Sequence, residues 1–302
     1  MKVPALPFAA TGRWLIGLCA ALAAFAAPAQ PTDAARAEFQ AALQAVNKAL
    51  VAGPAQVRLA DQALLRLPKD LAYIPAEEAG RFLAAMGNLS SEGLLGVVLS
   101  LAPGTNWFAI MRFFKPGYIS DDDAGRWNPD ELLSRMQKGT EAGNKARRSA
   151  GFPDIEIVGW IDAPKYDAAA HRLVWSFASR DKDAPDDWES GANYNTATLG
   201  RDGFISVNIV TDEPQMQAGR PAIQALLASL RYNDGKRYAD FDAATDRVSG
   251  YGLGALMVGP GPKKPGPLLA FILKYAMVIG LALLGIIGVT MAILERKKKA
   301  AS

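Results

Sequence analysis

Three consecutive carboxylates, Asp121, Asp122 and Asp123, are residues of the type that gathers a hard cation such as Ca²⁺ or Mg²⁺. The alternating spacing of an EF-hand loop is absent, however, and three adjacent side chains in a loop cannot all point in one direction. We therefore expect a solvated loop, or a helix start where carboxylates are favoured. No metal site and no cofactor are predicted.

His171 is the only histidine, so any histidine-based catalysis depends on it. Asp167 or Glu156 would then be the carboxylate that orients the imidazole. The sequence offers no paired nucleophile to complete a triad, which favours an exposed or hydrogen-bonded structural histidine at the start of a strand. The alternative is an envelope hydrolase or metal-dependent enzyme that uses Asp121, Asp123 and His171.

A polar stretch around Asn193, Tyr194 and Asn195 lies within an otherwise apolar strand pattern. These three residues are candidate ligand-binding residues, because their amides and hydroxyl suit a groove that recognises sugars or peptide amides. A solvent-facing edge strand is the interpretation we favour. Trp160 and Trp175 also lie at strand positions, where aromatic residues are more often core than a stacking surface.

Common enzyme signatures are absent. The chain contains no H-E-x-x-H or G-x-S-x-G motif, and no Walker lysine accompanies Gly252 and Gly254. Cys19, the only cysteine, lies in the N-terminal apolar run, so the exported domain is expected to have neither a disulfide nor a thiol nucleophile. We therefore expect binding in preference to catalysis.

The net charge divides unevenly along the chain. Residues 30–267 contain 26 Lys and Arg against 29 Asp and Glu, so the formal charge of +3 comes from the two ends. A slightly acidic domain gives no support to nucleic-acid binding, and no nucleic-acid partner is predicted.

The N-terminus has the pattern of a secretory signal peptide. Lys2 and Arg13 precede an apolar run, and Ala27 and Ala29 supply the small residues that a signal peptidase requires. We expect residues 1–29 to be the signal and cleavage to fall between Ala29 and Gln30.

The C-terminus predicts a membrane anchor. Tyr275 to Leu294 are 20 residues without a charge, and at ~1.5 Å per residue they span the hydrocarbon core of a bilayer. We assign residues 268–294 to the transmembrane helix, with Lys274 at its outer interface. Arg296 begins the basic part of a cytoplasmic tail, 295–302. Since the signal commits the domain to export, the predicted location is the bacterial inner membrane, single-pass, with the domain in the periplasm.

Between these ends the chain predicts one α+β domain, residues 30–258, followed by a Pro/Gly-rich linker, 259–267. Two apolar runs in 94–114 predict a hairpin of central strands, and four strand patterns from 155 to 210 predict an antiparallel meander. Helices are predicted over 31–50, 76–86, 128–150 and 214–230. The fold class is α+β, a largely antiparallel sheet with flanking helices, plus one C-terminal transmembrane helix.

Five segments carry a family resemblance: 117–124, 151–160, 166–175, 193–201 and 235–241. Together they resemble the bacterial family of predicted membrane-anchored proteins, domain of unknown function 2167, over roughly residues 55 to 260. The resemblance implies a periplasmic domain with the same C-terminal anchor. It implies no activity and no catalytic residues.

The function expected from these features is a membrane-anchored, non-enzymatic binding or scaffolding module of the cell envelope. Its predicted partners are the lipid bilayer and another envelope or inner-membrane protein. A sensor is a further alternative, but a tail of residues 295–302 has no room for an output domain. Such a sensor would have to be coupled laterally to a membrane partner.

Overall fold

A computed structural model describes residues 33–85, 91–103, 105–149, 153–185 and 190–258. The predicted cleavage site after Ala29, the linker 259–267 and the anchor 268–294 lie outside these residues. Within the described part of the chain, no helix is long and apolar enough to cross a membrane.

The chain divides into two compact units after Ala37. Residues 33–37 are the described part of the first unit and form the start of a helix. Everything below concerns the second unit, which begins at Glu38.

The helices are α1 (Asp33–Ala49), α2 (Ala76–Ala85), α3 (Pro129–Ser149), α4 (Glu213–Ser229) and α5 (Leu253–Val258), with a 3₁₀ turn at Tyr238–Asp240. The strands are β1 (Val51–Ala52), β2 (Ala55–Leu59), β3 (Ala63–Leu67), β4 (Leu71–Pro75), β5 (Leu94–Ser100), β6 (Phe108–Phe114), β7 (Ile155–Asp167), β8 (Arg172–Asp181), β9 (Gly191–Leu199), β10 (Phe204–Asp212) and β11 (Leu230–Tyr232). The four helices predicted within the domain, over 31–50, 76–86, 128–150 and 214–230, are each present to within a few residues.

Eight strands form one antiparallel sheet in the order β1-β4-β5-β6-β10-β9-β8-β7, and a smaller sheet has the order β11-β3-β2. The α+β class with a largely antiparallel sheet is therefore confirmed. The β5–β6 hairpin and the meander from β7 to β10 are also confirmed, because strands that follow one another in sequence pair antiparallel, with bulges in β5–β6 and β7–β8.

The large sheet is covered on both faces. Along β6, Phe108 and Ile110 pack into a core with α1, α2, α3 and α5, whereas Ala109 and Met111 pack into a second core with α4 and the small sheet. This division follows from the two-residue period of a strand. Since full burial of a large apolar side chain contributes about 1.5–3 kcal/mol, both layers stabilise the sheet.

The expectation of an edge strand at Asn193–Asn195 is wrong. Strand β9 lies between β8 and β10, so its side chains are buried on both faces. Asn193 and Asn195 face the core formed with α1, α2, α3 and α5, which we call the helical core, and Tyr194 faces the second core, on the side of α4. Asn208 donates to Asn195 Oδ1 at 2.7 Å, and Asn193 donates to Ser179 Oγ at 3.0 Å. These bonds offset the cost of burying the amides.

Helix α3 is capped and clamped by asparagines. The Asn128 side chain accepts hydrogen bonds from the backbone N–H of Asp130 and Glu131, which confirms the predicted helix start. Farther along, the buried Asn144 side chain donates to the carbonyl of Ile155 at 2.9 Å and accepts from its N–H at 3.1 Å. The amide thus holds the beginning of β7 against α3.

Gly203 provides a test of the pairing between β6 and β10. A Cβ at Gly203 would lie 1.9 Å from the carbonyl oxygen of Phe114, whereas a Cβ at Gly159 in β7 would meet nothing within 4 Å. We expect Gly203→Ala to lower the free energy of unfolding by several kcal/mol, because the backbone must separate, and Gly159→Ala to change it by about 0.5 kcal/mol or less. Urea denaturation of both variants is the measurement; equal midpoints would contradict the described register.

Candidate functional site

Four segments of the chain meet at one end of the large sheet. The segment after β6, the end of β7, the turn into β8 and the 3₁₀ turn after β11 all reach this end, because antiparallel pairing alternates the strand directions. They bring together six side chains, which we call the Asp121 cluster. Its members are Tyr118, Asp121, Tyr166, His171, Tyr238 and Phe241.

Backbone pairing fixes the segment that carries Tyr118. The N–H of Tyr118 donates to the carbonyl of Arg247 at 2.8 Å, and the carbonyl of Tyr118 accepts from the N–H of Ser249 at 2.7 Å. Gly117 allows this close approach, because its φ is +105° and a Cβ would lie 2.5 Å from the Arg247 oxygen. The loop around Arg247 is therefore held directly against the cluster.

Asp121 is the centre of the cluster. The Tyr166 hydroxyl donates to Asp121 Oδ2 at 2.6 Å, and the Tyr238 hydroxyl lies 3.1 Å from Oδ1. The Asp121 N–H also donates to the Tyr238 hydroxyl oxygen at 3.2 Å. His171 completes the arrangement, with Nδ1 3.7 Å from Asp121 Oδ2 and 3.4 Å from the Tyr166 hydroxyl. One carboxylate thus holds two tyrosine hydroxyls and lies beside the imidazole.

The hydrogen bonds set the protonation states of these groups. Burial by itself would raise the pKa of Asp121, but the bonds from Tyr166 and Tyr238 outweigh it and lower the pKa. Burial and the bond to Asp121 raise the pKa of Tyr166, and burial together with neighbouring Tyr118 and Asp121 raises the pKa of Tyr238. At neutral pH the site therefore consists of an ionised carboxylate and neutral phenols.

Four rings of the cluster stack into a column. The ring centroids are 3.8 Å apart for Phe241 and Tyr118, 4.6 Å for Tyr118 and Tyr238, and 4.3 Å for Tyr238 and His171. The first two pairs are close to parallel, with interplanar angles of 18° and 23°. Phe241 and His171, the end rings of this aromatic column, are partly exposed. A flat group that lies on either end extends the column.

His171 reaches the column from a left-handed backbone position, φ 44°. A residue other than glycine in this region costs about 1–3 kcal/mol, so the surrounding contacts hold it there. Asp167 and Glu156, the expected orienting carboxylates, have other roles. Asp167 accepts hydrogen bonds from two backbone N–H groups of the turn that follows it, and Glu156 accepts one from Arg180. Asp121 is the carboxylate beside the imidazole.

The aspartate run diverges. Asp123 accepts hydrogen bonds from the N–H groups of Leu253 and Gly254, at 3.0 and 3.2 Å, and so caps α5, a helix 130 residues farther along the chain. The Asp122 side chain is exposed. Within the described ranges, no three His, Cys, Asp or Glu residues form a group that could hold a metal ion. The structure brings Asp121 and His171 together and places Asp123 elsewhere.

The other sequence candidates do not share a site. Asn193 and Asn195 lie on the opposite face of β9 from Tyr194, so the three side chains cannot line one groove. The aromatic members of the cluster have no local sequence signal, because they meet across long separations; Tyr118 and Phe241, for example, are 123 residues apart. The signal available for them was their presence in the segments quoted for the family resemblance.

Asp121→Asn tests the electrostatics of the cluster. Because its pKa is lowered in the folded protein, Asp121 contributes stability above its unfolded pKa, about 4, and loses it as the pH falls through the folded pKa. We expect Asp121→Asn to lower the free energy of unfolding by about 1–3 kcal/mol at pH 7 and by progressively less in acid. Urea denaturation from pH 7 to pH 3 measures the difference.

Asp122→Asn is the matched control. The Asp122 side chain is exposed, and this substitution removes the same charge one residue away. We expect its unfolding curve to follow that of the wild type at each pH. If Asp121→Asn lowered the free energy of unfolding equally at every pH, the tyrosine hydrogen bonds would not lower the pKa of Asp121.

Comparison with known proteins places the chain in a family. No curated protein matches the sequence. The chain is similar to the solution structure of cyanobacterial PsbP (CyanoP) from Synechocystis sp. PCC 6803, with 13% identity over 57% of this chain and 88% of that chain and a TM-score of 0.34. It is similar to the crystal structure of the Saccharomyces cerevisiae Ran-binding protein Mog1p, with 9% identity over 62% of this chain and 98% of that chain and a TM-score of 0.32. Residues 51–289 match the family described as "Protein of unknown function (DUF2167)", and the chain belongs to that family.

Proposed function

We propose that this protein is a membrane-tethered binding module of the bacterial cell envelope, and that the Asp121 cluster recognises another envelope protein. The observation that carries the proposal is the aromatic column, which ends in partly exposed rings beside an ionised carboxylate. Aromatic residues with polar atoms are enriched at protein interfaces and dominate their binding energy.

The cluster is already ordered for binding. Tyr118, Tyr238 and His171 are held by stacking, and Asp121 fixes the hydroxyls of Tyr166 and Tyr238. A partner therefore does not have to immobilise these side chains, which lowers the entropic cost of association. A mobile aromatic patch would lose more side-chain entropy on association than this ordered cluster does.

An apolar surface continues from the column. Val248 pairs with Tyr118 through a parallel β-bridge, and its side chain is 56% exposed. An exposed valine beside exposed aromatic rings adds contact area of the kind found in the core of an interface. The proposed recognition surface thus comprises the exposed parts of His171 and Phe241, at the two ends of the column, and the exposed Val248.

The protonation states favour binding over catalysis. Tyr166 and Tyr238, whose pKa values are raised, are neutral donors at neutral pH and are poor nucleophiles and bases. Asp121 is committed to orienting them. These groups build a fixed surface in preference to a reacting centre.

Features outside the described residues support the tether. The signal pattern ending at Ala29 supports export to the periplasm, and the 20 uncharged residues 275–294 support a single span of the inner membrane. The family match continues to residue 289, so the linker 259–267 and most of the apolar segment belong with the domain. Four prolines in the linker favour an extended chain of roughly 28 Å.

Capture of a partner from membranes tests the proposal. We expect the tagged full-length protein, crosslinked in membranes and mildly solubilised, to recover a defined envelope protein. Phe241→Ala should reduce recovery about tenfold or more, because it removes an end ring of the column. Val158→Ala, at a 50% exposed valine on β7, is the control and should leave recovery unchanged.

Thermal midpoints of both variants separate lost binding from lost folding. Recovery of no partner by the wild type, or equal recovery by folded Phe241→Ala, would contradict the proposed surface.

A second function is favoured by one observation. Asp121 lies beside His171 Nδ1, the arrangement in which a carboxylate orients an imidazole whose Nε2 acts as a general base. No described residue forms a hydrogen bond with His171 Nε2. The rival function is therefore hydrolysis of an envelope substrate with His171 as the base and water as the nucleophile.

His171→Gln distinguishes this rival. Glutamine keeps a polar side chain but cannot accept and release a proton, so a hydrolase should lose about 100-fold or more of its rate. The measurement is release of product from peptidoglycan fragments and from ester and peptide substrates by the full-length protein. Equal and negligible turnover by wild type and His171→Gln would eliminate the hydrolase.

A further inference from the structure

We infer that the partner presents an arginine from a basic segment, and that its guanidinium lies on the His171 end of the aromatic column beside Asp121. This inference rests on the proposed binding function and adds the chemistry of the partner. Three properties of the cluster lead to it: the charge of its rim, the flat geometry of the column and the unused acceptor capacity of Asp121.

The rim of the cluster is acidic. The segments that form it, 117–126, 166–172 and 237–250, contain seven aspartates and four arginines. Arg201, from outside these segments, pairs with Asp246, and Asp234, also from outside them, pairs with Arg237, so six aspartates and three arginines remain. The surface that a partner meets therefore has an excess of negative charge, which attracts a cation and disfavours an acidic partner.

The column favours a flat cation over a compact one. Its rings are spaced 3.8 to 4.6 Å apart, so a planar group continues the stack at an end. A guanidinium is planar and stacks on aromatic faces, whereas an ammonium is a strongly hydrated point charge. Stacking of a cation on an exposed ring contributes about 0.5–1 kcal/mol, and more where water is excluded.

Asp121 selects the end of the column. His171 Nδ1 is 3.7 Å from Asp121 Oδ2, whereas Phe241 is separated from this carboxylate by Tyr118 and Tyr238 in the stack. The side chains of His171 and Asp121 are 37% and 30% exposed, so both are accessible at one place. At this end a stacked group also meets the accessible carboxylate of Asp121.

Asp121 has acceptor capacity to spare. A carboxylate accepts about four hydrogen bonds, and the described side-chain donors at Asp121 are the hydroxyls of Tyr166 and Tyr238, one on each oxygen. A guanidinium offers five N–H donors in a planar fork that fits such an acceptor. Stacking on His171 and hydrogen bonding to Asp121 are thus satisfied by the same group.

Three synthetic peptides of one sequence test the inference on the full-length protein in detergent micelles. They differ at two positions, which hold arginine, lysine or citrulline; citrulline keeps the planar shape of arginine without its charge. Titration calorimetry is the measurement. We expect the arginine peptide to bind about tenfold more tightly than the lysine peptide, and the citrulline peptide to bind more weakly than either.

Two variants locate the site. Asp121→Asn and His171→Ala should each weaken the arginine peptide about tenfold, and Asp122→Asn, which removes a neighbouring exposed charge, should leave the preference for arginine over lysine intact. Equal affinity for arginine and lysine peptides would overturn the inference, since charge alone would then explain binding. So would unchanged binding of the arginine peptide by Asp121→Asn or by His171→Ala.

The outcomes also separate the two proposals. If membrane capture recovers a partner in a Phe241-dependent manner but no basic peptide binds, the recognition surface stands and the arginine is wrong. If capture fails as well, the proposed function fails.

Discussion

Coverage of both faces of the eight-stranded sheet is the constraint from which the rest of the structure follows. Helices α1, α2, α3 and α5 cover one face, and α4 with the small sheet covers the other. The central strands therefore have no exposed side chains with which to bind anything. Chemistry is confined to the strand ends and their loops, and the Asp121 cluster lies at such an end.

Burial on both faces also explains why the polar residues of β9 are not a site. Asn195 accepts from Asn208 across the strand pair and itself donates to the Asn193 carbonyl. Each amide forms hydrogen bonds with its neighbours, and this is how polar groups are tolerated in a core. The same residue types on an exposed strand would offer those groups to a ligand. The difference lies in the position of β9 within the sheet, and the local sequence does not determine that position.

Local patterns predicted most of the elements but little of the site. The start of α3 beside Asn128 and the hairpin of β5 and β6 depend on residues close in sequence, and both were predicted. The pairing of β11 with β3 was not predicted, because it joins positions more than 160 residues apart. Asp121 meets Tyr238 across 117 residues and Asp123 meets Leu253 across 130. No periodicity or local spacing encodes such contacts, so composition suggested only that carboxylates and a histidine were available.

The two ends of the aspartate run connect the proposed recognition surface with the proposed tether. Asp121 orders the aromatic column, and two residues later Asp123 caps α5. Helix α5 buries Leu253 and Leu256 in the helical core and ends at Val258, directly before the proline-rich linker. Helix α5 is thus the described element next to the linker in sequence. It is held by the segment that orders the cluster. In the proposed tethered module, this arrangement would hold the recognition surface at a fixed place relative to Val258, the last described residue.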